Sequence, residues 1–167
     1  MGSPVLWIDI VIIAIIVICS VAGTARGLMG EALSLSIWLL AITISLMFNR
    51  EFSMLLALKL ANPAVRVALS FAGLLLITLI IGNTISHLLR DVIPKTNLDF
   101  FNRFWALFLG GIHGIIIVAT LILLAGLSPL PLEPWWDDAI LIPPFQSLAI
   151  FIKDTIPSEM ASYVHYH

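Results

Sequence analysis

Six polar side chains lie inside or at the edge of long apolar stretches of this sequence: Asp9, Arg26, Glu31, Asn83, His87 and His113. Ionisable groups in hydrocarbon are costly, which makes them functional candidates by default. Asp9 follows Trp7 near the amino end and admits two readings. It is an ion or proton site, or the partner of a basic loop residue such as Arg66; or it is an interfacial carboxylate capping the first helix. Arg26 and Glu31 are five residues apart, the wrong spacing for a pair on one continuous helix, so a contact between them needs a turn. They are either an ion pair that locks a hairpin or lines a path, or a headgroup anchor followed by a helix-start acid. His113 shares a helix side with Gly110, and roughly with Gly114 and Ile117. It either bonds to a neighbouring helix as a packing group or titrates near neutral pH as a switch. Asn83, Thr84 and His87 are its expected partners.

Other chemistry is not indicated. No His, Cys, Asp or Glu set has metal-ligand spacing, and the sequence carries no G-x-S-x-G, Walker A or H-E-x-x-H motif. Ser34 and Ser36 read as hydroxyls bonding back to their own helix, and Cys19 as a small packing residue. His165 and His167 read as a polar tail. The expectation is a protein that is not an enzyme and holds neither metal nor cofactor.

The elements that must position these groups follow from composition. Of 167 residues, 60% are hydrophobic and 11% charged, and mean hydropathy is +1.10. Soluble domains average about 45–50% apolar and about 25% charged. A net charge of −2 without a basic patch excludes a nucleic-acid partner, and the expected partner is a lipid bilayer. A span takes about 20 mostly apolar residues. Four runs qualify: Val5–Ala22, Ala32–Phe48, Val67–Leu89 and Phe104–Leu127. The first lacks a basic leader and is longer than a signal-peptide core, so it reads as a retained helix. The fold class is therefore an all-α integral membrane protein of four transmembrane helices, residues 1–127, followed by a Pro- and Trp-rich tail, residues 128–167.

The connections differ in kind. Residues 23–31 are short and glycine-rich, which predicts a tight antiparallel hairpin. Residues 52–59 read as a short interfacial helix before Asn62-Pro63. In the tail, residues 145–156 predict one amphipathic surface helix with Phe145, Leu148, Ala149 and Ile152 on a face. Lysines and arginines divide evenly: Arg26, Arg90, Lys95 and Arg103 against Arg50, Lys59, Arg66 and Lys153. The uncharged amino end and the acidic tail then favour both termini outside, in the periplasm. Gly23-x-x-x-Gly27 and Gly110-x-x-x-Gly114 let helices approach closely, within the bundle or between subunits. With so short a chain they point to a homo-oligomer.

The segment from Arg26 to Trp38 (RGLMGEALSLSIW) resembles the signature of the colicin V production protein family. So do Trp7-Ile8-Asp9, then Asn102-Arg103 followed by Gly110, Gly111 and Gly114, and then Trp135-Trp136 with Leu141-Ile142-Pro143. The matches run in order along nearly the whole chain. The resemblance implies a four-helix protein of the bacterial inner membrane. It implies a role in bacteriocin production or secretion, or in envelope homeostasis, with envelope or secretion proteins as partners. It adds Gly27, Arg103, Gly110 and Gly114 to the functional candidates Asp9, Arg26, Glu31 and His113. In some relatives a similar domain anchors an outer protease, which agrees with external termini. Four positions depart from the family pattern: Gly30 and His113 stand where basic residues (Arg at the latter) are usual, Asn102 where Asp is usual, and Ala106 where Gly is usual. The rival reading is an oligomeric channel or transporter with the six polar residues along its path. A weaker one is an anchor left from a protease-bearing ancestor.

Overall fold

Long runs of Leu, Ile, Val and Ala can satisfy their backbone in lipid only as helices, and helices account for nearly all of the structure. It is a computed structural model that describes residues 7–56, 62–89, 99–126, 136 and 139–154. Among these residues the elements are α1 (Trp7–Leu56), α2 (Pro63–Leu89), α3 (Phe100–Gly126) and α4 (Ile142–Asp154). The start of α2 is written locally. The Asn62 Oδ1 accepts the Ala64 N–H at 3.0 Å, and Pro63 takes the first helical position, where no N–H is needed. α1, α2 and α3 are each long and apolar enough to cross a membrane.

α1 has 50 residues, about 75 Å if straight, against a hydrocarbon core of about 30 Å. It is not straight. Gly27 has φ 76° and ψ 169°, a conformation open to glycine and strained for side chains. Before the break, Ile16 faces Gly114 and Gly23 faces Ala106 and Gly110, while the Leu28 N–H just beyond it reaches Asn102. The first arm, residues 7–26, therefore runs antiparallel to α3. After the break, Glu31 and Trp38 both meet His113, eleven residues back along α3 from Asn102. The chain thus turns back on itself at one residue, and the turn expected over residues 23–31 shrinks to Gly27. The second arm, residues 28–56, packs on α2. Ile37 covers Gly82, the Asn49 side-chain N–H donates to the Val67 carbonyl at 3.2 Å, and Arg66 Nε donates to Ser53 Oγ at 3.1 Å.

Two boundaries differ from the sequence expectation. Residues 52–56 continue α1 instead of opening a separate interfacial helix; residues 57–59 lie outside the described residues. α4 starts at Ile142, three residues early, because Pro143 and Pro144 fall in its first turn, where a missing N–H costs nothing. Its expected end at 155–156, Lys59, Arg90, Lys95, Trp135, His165 and His167 also lie outside the described residues. The buried core joins Ile12, Ala41, Phe71, Leu75, Val118 and Ile122 to Trp136, Ala139 and Ile142 of the tail, with Phe145 packed against it. Leu40, Leu76, Ile80 and Phe108 point outward, as an apolar solvent around the bundle would allow.

The glycines set the spacing between the first arm and α3. A Cβ on Gly110 would lie 2.5 Å from the Cys19 carbonyl oxygen, and one on Gly114 2.8 Å from the Ile16 Cα. One on Gly73 would meet Phe52 at an ordinary 3.6 Å. Gly110→Ala is therefore expected to lose about 1–3 kcal/mol through forced separation of the helices. Gly73→Ala should be neutral or stabilising by up to about 1 kcal/mol. Thermal unfolding of the two variants in detergent checks the contrast; equal midpoints would refute it.

Candidate functional site

Glu31 lies four residues after the break, on the first turn of the second arm, and its side chain has 0% exposure. A charge buried this far must be paired. His113 Nδ1 lies 2.6 Å from Oε1. Arg26 Nη1 lies 2.9 Å from Oε2, an ion pair that is off the line of a hydrogen bond. Arg26 stands at the end of the first arm, so the reversal at Gly27 brings its side chain over Glu31. The same Nη1 donates to Ser34 Oγ at 3.0 Å. His113 is supplied by the middle of α3, with Trp38 edge-on to its ring at 5.7 Å. The Asn102 Oδ1 accepts the Leu28 N–H at 3.0 Å, which the break at Gly27 leaves without its usual partner.

These groups border a polar pocket of about 290 Å³ lined by Cys19, Arg26, Gly30, Ser34, Trp38, Asn83, Ser86, His113 and Ile117. Gly30 bears on its size, because a basic side chain at that position would project into the space. Ser34, expected to bond back to its own helix as Ser36 does to the Ala32 carbonyl, instead accepts from Arg26, and nothing in the sequence reading marks Ser86 as a site residue. A signal existed: Glu31, Ser34 and Trp38 recur at i, i+3 and i+7, and Asn83 and Ser86 at i, i+3, each set on one helix face.

Asp9 belongs elsewhere. It is 1% exposed, and its carboxylate accepts the backbone N–H groups of Leu141 at 2.9 Å and Ile140 at 3.3 Å. It caps the start of α4, not the first helix, and Arg66, its suggested partner, bonds to Ser53 instead. Arg103 is exposed in the first turn of α3. Asn83 borders the same pocket as His113, but Thr84 bonds back to the Ile80 carbonyl and His87 is outside the lining. Gly23, Gly110 and Gly114 are used in contacts within the chain, and Gly27 acts through its conformation.

A family model described as colicin V production protein matches residues 8–150. The chain is 29% identical over 153 residues to the colicin V production protein of Escherichia coli (strain K12), covering 91% of this chain and 94% of that one. It is 28% identical over 139 residues to a colicin V production protein homolog of Haemophilus influenzae, covering 83% and 85%. No solved structure matches.

The cluster predicts a coupled loss. Glu31→Ala leaves Arg26 and His113 without their carboxylate and should cost about 3–5 kcal/mol. A cycle with His113→Leu should show coupling of about 0.5–3 kcal/mol; additive midpoints in thermal unfolding would mean that the contact contributes nothing. For Asp9, removing an acceptor from two N–H groups costs about 1–3 kcal/mol for each one left buried. Asp9→Ala should therefore speed tryptic cleavage at Lys153, with Asp9→Asn intermediate; unchanged digestion would show that the tail is held without it.

Proposed function

Because the chain belongs to the colicin V production protein family, we propose that it is a non-catalytic membrane factor supporting the production or secretion of a bacteriocin of the colicin V kind, or envelope homeostasis. The observation that carries this is the alignment with 94% of the Escherichia coli relative's length. The protein is a multi-pass membrane protein of a bacterial family. We place it in the inner membrane with four spans, counting the two arms of α1 as one each. Their support is the break at Gly27 and arm lengths of 20 and 29 residues, each near what a span requires. The termini are assigned to the periplasm from the charge pattern of amino end and tail. Homo-oligomers and contacts with envelope or secretion proteins belong to the same proposal. Since the glycine pairs are used within the chain, the oligomer rests on a short bundle's need for neighbours to enclose a path.

One observation favours the channel or transporter reading beside it. Arg26, Asn83 and His113, three of the residues assigned to such a path, line one polar pocket, with Glu31 directly behind. The path is shorter than first drawn, because Asp9 is occupied by the tail.

One experiment tests both. In a colicin V-producing Escherichia coli strain lacking its own relative, expression of this chain should restore the zone of growth inhibition. No restoration at a matched membrane level would overturn the bacteriocin reading. Asn83→Leu, an outward substitution that fills the pocket, separates the two readings. It should abolish restoration if the pocket is the working part and preserve it if packing and partner contacts suffice.

A further inference from the structure

The pocket beside Glu31 is lined by a guanidinium and neutral polar side chains, with no carboxylate among them. Arg26 has five N–H donors, and the contacts above occupy Nη1 alone. Ser34 Oγ accepts from Arg26, which leaves its O–H to donate. The side chains of Asn83 and Ser86 make no hydrogen bond among the described residues. The nearby carboxylate is not in the lining: Glu31 lies behind, with Oε1 turned to His113 and Oε2 to Arg26. A cation entering the pocket would meet a guanidinium and donors. An anion would meet donors from α1 and α2, beside the apolar Trp38 and Ile117, which strengthen such bonds by lowering the local dielectric.

We infer that this pocket binds a phosphate group, held by Arg26, Ser34, Asn83 and Ser86. A tetrahedral oxyanion has enough acceptor oxygens to meet donors spread over two helices, and the Arg fork suits it. The pocket's 290 Å³ is many times the ~10–15 Å³ needed to hold one water.

The phosphate belongs either to a lipid headgroup or to the free ion, and titration of the full-length purified protein separates the sources. Inorganic phosphate is titrated calorimetrically against chloride at matched ionic strength. Short-chain phosphatidylglycerol is titrated likewise. Saturable binding of the first assigns the free ion, and saturable binding of the second alone assigns the headgroup. Asn83→Leu and Ser86→Leu, both away from the Glu31 contacts, should each weaken binding by roughly tenfold or more, about 1.4 kcal/mol. Binding of neither probe, or binding indifferent to both α2 substitutions, would overturn the inference. The readout is on purified protein, so it fails or stands apart from the colicin V complementation.

Discussion

A carboxylate with no exposed surface stands at the centre of this bundle, and it is tolerable only if opposite charge and a hydrogen-bond donor are brought to it. Glu31 receives Arg26 on one oxygen and His113 on the other. Arg26 can arrive only because the helix breaks between them, at a residue whose φ of 76° suits glycine. His113 can arrive only because the first arm lies close on α3, and Gly110 and Gly114 make that closeness possible. The turn, the glycine contacts and the ion cluster are thus one arrangement, and a side chain at any of these glycines would disturb the pairing of Glu31.

The second buried carboxylate does a different job by the same physics. Asp9 gathers the N–H groups of Ile140 and Leu141, just ahead of α4. That ties the amino end to a segment more than 130 residues away in sequence and seats Trp136 and Ile142 in the main core. The two acids that look alike in sequence, each near the start of an apolar helix, are spent on polar pairing in one case and on backbone capping in the other.

The pocket follows from the first arrangement. With Glu31 turned inward to its two partners, the polar groups left toward the space are Arg26, Ser34, Asn83 and Ser86, and Gly30 lines it without a side chain.

Much of this was legible in the residues. Apolar run length dictated helices in lipid, because lipid leaves the backbone no other partner. The cost of burying charge singled out Asp9, Arg26, Glu31 and His113, and the five-residue spacing of Arg26 and Glu31 required a turn between them. The resemblance in the Arg26–Trp38 segment pointed to the family. What the sequence by itself left open was pairing. Helical periodicity says which residues share a face, not which helix that face meets. The Glu31–His113 contact spans 82 positions and the Asp9–Leu141 contact 132, and separations of this size are set by packing alone. Likewise nothing local distinguished Gly27, which breaks the helix, from Gly23, which only lets α3 approach. Tertiary structure decided that: Gly27 takes the positive φ, and Asn102 of α3 accepts the Leu28 N–H just beyond it.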